Sequence, residues 1–168
     1  MGGGDRGKRT SYVGTRSNYE RGIRAITEYE EPSRKRVFIS FHVDDEAQVD
    51  LLRHQASDDR FDLEFVDYSV KEPFDEAWKS RCTERINQSS VVVVMIGPET
   101  HTRAAVNWEI EKAYELGKPV VGVRIYRDEN HTIPEPMVRN VAKIVNWNME
   151  EIQNAINKSE YEESKLVQ

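Results

Sequence analysis

The chain has a single cysteine, Cys82, and its longest apolar run is the six residues from Val91 to Ile96. A lone cysteine excludes an internal disulfide and a cysteine-based metal cluster. Six apolar residues cannot cross a bilayer, and nothing near Met1 resembles a secretory signal. Met1-Gly2 does not complete a myristoylation signal, because Arg6 stands where Ser or Thr is needed. Phosphate-cradling glycine patterns are missing: there is no P-loop and no GxGxxG turn. HExxH and a Ser-His-Asp order are missing as well. Positive charge is in deficit, with 24 Lys and Arg against 30 Asp and Glu, a net charge of -6. Such a surface does not attract nucleic acid or anionic lipid as a whole. These absences lead us to expect a soluble, cytoplasmic protein with no metal, no resident cofactor, and no nucleic-acid or membrane partner.

What is present divides the chain into three parts. Residues 1–34 carry 7 Lys and Arg against 5 Asp and Glu, whereas the remainder carries 17 against 25. The first sixteen residues are rich in Gly, Arg, Lys, Ser and Thr and read as a tail. Ser17 and Glu20 then have capping-box spacing, and Tyr19, Ile23, Ile26 and Tyr29 follow at helical spacing. Pro32 closes this segment, since the residue before a proline is disfavoured in a helix. Residues 1–34 are therefore expected as an N-terminal tail with a short helix, 35–158 as the folded domain, and 159–168 as a C-terminal tail.

From Arg36 the pattern alternates strand and helix. Val37 to Phe41 is β-rich, and Asp44 or Asp45 is placed to cap a helix ending near Ala56, with Ala47, Leu51 and Leu52 inward. Phe61 to Phe65 alternates strictly, as a half-exposed strand does. Trp78, Cys82 and Ile86 mark one helical face. Val91 to Ile96 is apolar on both faces and bounded by Gly97-Pro98, so it reads as a central strand. Val106, Ile110 and Ala113 form the next helical stripe, stopped by Gly117 and Pro119. Val120 to Ile125 and Val141 to Val145 supply strands four and five, and Asn148 with Glu151 resembles a capping box for the last helix.

Five strands alternating with helices predict an α/β, doubly wound, flavodoxin-like parallel sheet with helices on both faces. An alternating second strand belongs at an edge and an apolar third strand in the middle, which gives the order 2-1-3-4-5. Ligands in such sheets bind beyond the carboxyl ends of the strands where the order reverses. The facing residues are then Phe41, His42, Asp44 and Asp45 after strand one, and Gly97 through Glu109, including Thr102 and Trp108, after strand three. A flavodoxin phosphate cradle does not fit the acidic His42-Val43-Asp44-Asp45. A response-regulator receiver requires Asp at the end of strand three and Lys at the end of strand five, where this chain has Ile96-Gly97 and Val145-Asn146.

The stretch Ile86-Asn87-Gln88-Ser89-Ser90 leading into Val91–Ile96 resembles the helix-to-third-strand passage of TIR domains. Val106-Asn107-Trp108-Glu109-Ile110-Glu111-Lys112-Ala113, then Gly117-Lys118-Pro119-Val120-Val121, is similar to the next helix and strand. Val37 to Phe41 with Asp44 or Asp45 resembles the opening strand of the TIR-like branch of bacterial Thoeris antiphage systems, the ThsB type. The likeness extends from about Arg36 to Asn157. It implies cleavage of the nicotinamide–ribose bond of NAD, with NAD a substrate rather than a cofactor and Glu109 as the catalytic carboxylate. The implied product is ADP-ribose, a cyclic form or a conjugate, sensed by a downstream effector, with self-assembly into an oligomer. The chain departs from the common TIR pattern at Gly97, where Ser is frequent, and at Trp108, which directly precedes the glutamate.

Each of these residues also has a plainer role. Glu109 lies beside the buried stripe and reads either as a functional carboxylate or as a solvated acid favoured by the helix dipole. His42 is either a contact to adenine or phosphate or an exposed loop side chain, the latter favoured slightly. One of Asp44 and Asp45 serves as a cap, Trp108 and Phe41 either meet a ligand or pack, Trp78 and Cys82 belong to the core, and Arg81 and Arg85 to a solvated face. A non-catalytic module that signals by assembly is the alternative to an enzyme. Deleting residues 1–16 is expected to leave the melting temperature of the domain unchanged, and a large fall on thermal denaturation would show that the tail is structural.

Overall fold

The computed structural model describes residues 34–66 and 74–166. The expected tail and helix within residues 1–33 lie outside the described residues. Five parallel strands, β1 (Lys35–Ser40), β2 (Leu63–Val66), β3 (Val91–Ile96), β4 (Val120–Arg124) and β5 (Lys143–Asn146), form one sheet in the order β2-β1-β3-β4-β5. The helices are α1 (Glu46–Ala56), α2 (Glu76–Asn87), α3 (Ala104–Glu115), α4 (Glu135–Arg139) and α5 (Met149–Leu166). The limit expected at residue 158 falls inside α5.

The sheet separates two apolar layers. Val37, Ile39, Val91, Val93 and Met95 point to one side and pack with Val49, Leu52 and Ala56 of α1 and Ile152, Ala155 and Ile156 of α5. Phe38, Val92, Val94 and Ile96 point to the other and pack with Trp78, Cys82 and Ile86 of α2, Val106, Ile110 and Ala113 of α3, and Met137 of α4. Every residue of β3 is fully buried. The edge strands are not: β2 exposes Glu64, and β5 is exposed at Lys143 and Asn146. Register fixes the top of the sheet, with Ser40 of β1 opposite Val94 of β3.

Three local expectations change. Ala47 and Leu51 are exposed, and the inward stripe of α1 is Val49, Leu52 and Ala56. Neither Asp44 nor Asp45 caps α1 through its carboxylate, because residues 43–45 form a 3-10 turn in which His42 Nδ1 accepts from the Asp44 N–H. Strand five begins at Lys143, because Val141 ends α4 instead. The Asn148 cap is present: its side-chain oxygen accepts from the Glu151 N–H at 3.1 Å.

Helices α3 and α4 end the same way with different residues. After α3, the Gly117 N–H reaches the Tyr114 carbonyl and the Lys118 N–H the Ala113 carbonyl, with Gly117 at φ 65°. After α4, the Val141 N–H reaches the Val138 carbonyl and the Ala142 N–H the Met137 carbonyl, with Val141 at φ 53°. Both are Schellman closures, which require a left-handed residue. Glycine adopts that conformation freely, whereas a β-branched side chain is strained there. Val141 is also 89% exposed, so its side chain gains little by packing. Val141→Gly is expected to raise stability by about 0.5–1 kcal/mol, the relief of strain exceeding the added freedom of the unfolded chain. Urea unfolding checks this, and an unchanged or lower midpoint would mean that valine is not strained at this position.

Candidate active site

The carboxyl ends of β1 and β3 flank the point where strand order reverses. Two short connections close over it. Beyond β1, Phe41 continues the alternation of Val37 and Ile39 and is buried in their layer. His42 is buried too, contrary to the expected exposed loop side chain, because its ring caps the turn at 43–45. Asp44 projects into solvent, while Asp45 is 5% exposed. Beyond β3, the Thr100 hydroxyl accepts from the Gly97 N–H at 2.9 Å and donates to the Met95 carbonyl at 3.1 Å. Gly97 lies directly against the Asp45 carboxylate: a Cβ at position 97 would sit 2.6 Å from Asp45 Oδ2. A serine there would collide with Asp45, so the departure at Gly97 and the buried Asp45 are one feature. Burial pushes the Asp45 carboxyl up; His42 and His131 act the other way, and Asp44 adds to the rise.

Glu109 occupies the inward face of α3 between Val106 and Ile110. It is not a solvated acid: its exposure is 0%. Ser40 Oγ donates to its Oε2, and Cys82 Sγ lies 3.8 Å from its Oε1 as a thiol donor. Burial pushes the carboxyl up to about 8, and the Ser40 and Cys82 contacts only partly oppose this. No charged side chain among the described residues contributes to the shift. Glu109 is therefore a neutral acid near pH 7 in this conformation.

The other expected residues are placed as follows. His42, Asp44, Asp45 and Gly97 gather around the two connections. Trp108 is half-buried and packs towards α2, with its ring 5.4 Å from Trp78 and 6.3 Å from Phe74, and Lys112 lies 5.5 Å above it. Phe41 belongs to the opposite layer from Glu109, and Thr102 is exposed, its hydroxyl donating to the Glu99 carbonyl. His42, Asp44 and Glu99 each bring one metal-capable atom within 4.8 Å of the others. Glu99 is already paired with Arg103, and His42 Nδ1 with the Asp44 N–H, so these groups form no dedicated cage. Two surface cavities, of about 480 and 570 Å³, lie elsewhere: one beside His54, Arg60 and Met149, the other beside Tyr114, Lys143 and Lys158.

Ser40 and Thr100 were not singled out from the sequence, and Cys82 was assigned to the core. The signal for Ser40 was there. Strand alternation that sends Val37, Ile39 and Phe41 to one layer sends Phe38 and Ser40 to the other, where α3 lies.

The sequence profile of the family described as "Thoeris protein ThsB, TIR-like domain" matches residues 38–130. A protein from Bacillus cereus (strain MSX-D12) named "Putative cyclic ADP-D-ribose synthase ThsB1" is 33% identical over 100 residues, covering 54% of this chain and 52% of that protein. The chain thus spans about half the length of this curated relative. The solved TIR domain of the Toll-related receptor TRR-2 from Hydra magnipapillata superposes with a TM-score of 0.51 at 9% identity, covering 75% of this chain and 94% of that one. That likeness concerns fold alone. The profile match runs from β1 past β4, takes in Ser40, Cys82 and Glu109, and covers more than half of the chain, which therefore belongs to the ThsB TIR-like domain family.

Proposed function

We propose that this chain is an NAD-consuming enzyme that breaks the nicotinamide–ribose bond, with Glu109 as its catalytic carboxylate. The observation that carries the proposal is the burial of Glu109 with no charged partner among the described residues. A buried acid without a cation lowers stability, whereas leucine or methionine at the same place would serve packing alone. A strongly perturbed acid at the switch point of a doubly wound sheet is a functional-site candidate. The family match, and a relative named for cyclic ADP-ribose synthesis, supply the substrate class.

In the reaction, the electron pair of the C–N bond leaves with the ring, and the cationic pyridinium becomes neutral nicotinamide. Positive charge develops on the ribose, as in other glycosyl transfers. An ionised Glu109 stabilises that charge. The incoming pyridinium favours ionisation, since an opposite charge nearby lowers an acid's pKa. Water then bonds to the ribose carbon and releases a proton to give ADP-ribose, or a nucleophile within the same molecule bonds to it, with loss of its own proton where it carries one, to give a cyclic product. His42, Asp44, Asp45 and Gly97 flank the dinucleotide in this reading, and Trp108 packs its ring against Trp78 of α2. Antiphage signalling through an effector that senses the product, and self-assembly, belong to the same proposal.

The test is nicotinamide release from NAD by the pure protein, including at high concentration with a crowding agent. Glu109→Gln is expected to fold and to lose on the order of a hundredfold or more in turnover. Glu111→Gln is the control, because Glu111 is exposed and pairs with Arg139, 3.4 Å away. Equal turnover in wild type and Glu109→Gln overturns the assignment.

Glu109 also makes stability depend on pH. Its folded-state value of about 8 lies above the ordinary 4.5, so the folded chain keeps a proton between these values that the unfolded chain releases. Its contribution to folding is fully present below about pH 4.5 and is lost as pH rises towards 8. Glu109→Gln lacks this loss. Its advantage over wild type in urea unfolding is expected to grow between pH 5 and pH 8, by on the order of a few kcal/mol. A gap that stays constant across that range would show that the acid does not titrate there.

A further inference from the structure

Each carboxylate oxygen of Glu109 meets its own side-chain donor, from a different element. Ser40 Oγ, at the end of β1, addresses Oε2. Cys82 Sγ, in the middle of α2, addresses Oε1 at 3.8 Å. Both donors are fully buried. We infer that Ser40 and Cys82 are the positioning pair of Glu109, one donor on each oxygen, fixing the plane of the carboxylate and supporting its ionised form. This inference rests on the reading of Glu109 as the catalytic acid and extends it to the residues that govern it.

Among the described residues, α2 brings the Cys82 thiol and β1 the neutral Ser40 hydroxyl to Glu109. β3 and β4 bring Val92, Val94, Ile96 and Val120 to this layer. On α4, Arg139 is directed to Glu111 and Glu135. A neutral acid needs one acceptor and one donor, whereas a carboxylate needs a donor on both oxygens. Ser40 can donate or accept, and Cys82 donates weakly through its S–H. The same two contacts therefore accommodate both protonation states without a counter-ion. Strengthening either donor favours the anion, and removing either favours the acid.

The test follows the carboxyl carbon of Glu109 by NMR in protein labelled with ¹³C-glutamate, the resonance being assigned by its loss in Glu109→Gln. Ser40→Ala is expected to raise the titration midpoint by about one pH unit, the scale of a hydrogen bond to a charged group. Ser40→Cys, which keeps a weaker donor, is expected to raise it less. Cys82→Ser, which exchanges a weak donor for a strong one, is expected to lower it. The acidic limb of nicotinamide release should shift in the same directions. A merely structural role would change melting temperature and leave these midpoints in place. Should Ser40→Ala fail to fold, Ser40→Cys and Cys82→Ser carry the test. Midpoints that do not move in those two variants overturn the positioning pair, while the catalytic reading then stands or falls on Glu109→Gln alone. A wild type that releases no nicotinamide overturns the catalytic reading, even where the midpoints move as stated.

Discussion

Six consecutive residues, Val91 to Ile96, are fully buried, and a strand covered on both faces needs helices on both sides. That requirement places α1 and α5 on one layer and α2, α3 and α4 on the other. Parallel neighbours then demand crossovers, and the crossovers bring the ends of β1 and β3 together where the winding reverses. The candidate site follows from this arrangement. α3, which leaves β3 and returns to β4, lies over the end of β1 and carries Glu109 onto Ser40. A polar substitution in β3 would therefore reach the site as well, through Val94 opposite Ser40 and the Met95 carbonyl beneath Thr100.

Much of this arrangement was legible in the sequence. The contrast between strict alternation at Phe61–Phe65 and an unbroken apolar run at Val91–Ile96 was enough to order the sheet. The α1 face was harder to read. Ala47 and Leu51 make one stripe and Val49, Leu52 and Ala56 another, and the two lie on different sides of the helix. Only the position of α1 over β1 and β3 decides between them. His42 was misjudged for a related reason: its burial depends on a backbone N–H two residues later in a tight turn, which spacing does not announce. Val141 ended α4 where its β-branched side chain suggested a strand, because the helix needed a left-handed closure before the chain could enter β5.

Within the site, Glu109 stood out through the likeness to TIR domains, which carry a glutamate on the helix after strand three. Its partners did not. Ser40 is 69 residues away and Cys82 is 27, and serine and cysteine are ordinary residues at the end of a strand or inside a helix. The Gly97–Asp45 contact was equally hidden, although it explains why this chain has no side chain where the TIR pattern often has serine. Function here is stored in approach distances between elements, and a linear pattern reports those only indirectly. Placing an acid in this layer also works against stability, a conflict that functional sites commonly carry.

The groups that set the environment of this acid come from β1, α2 and α3, so none of these elements alone reproduces it. While the polypeptide is being made, or after it is damaged, Glu109 faces water as an ordinary glutamate that ionises far below neutral pH. Packing of α3 against the sheet removes that water and raises the pKa of the carboxyl, with Ser40 and Cys82 beside its two oxygens. The raised pKa of Glu109 is thus a property of the folded layer and not of the residue itself.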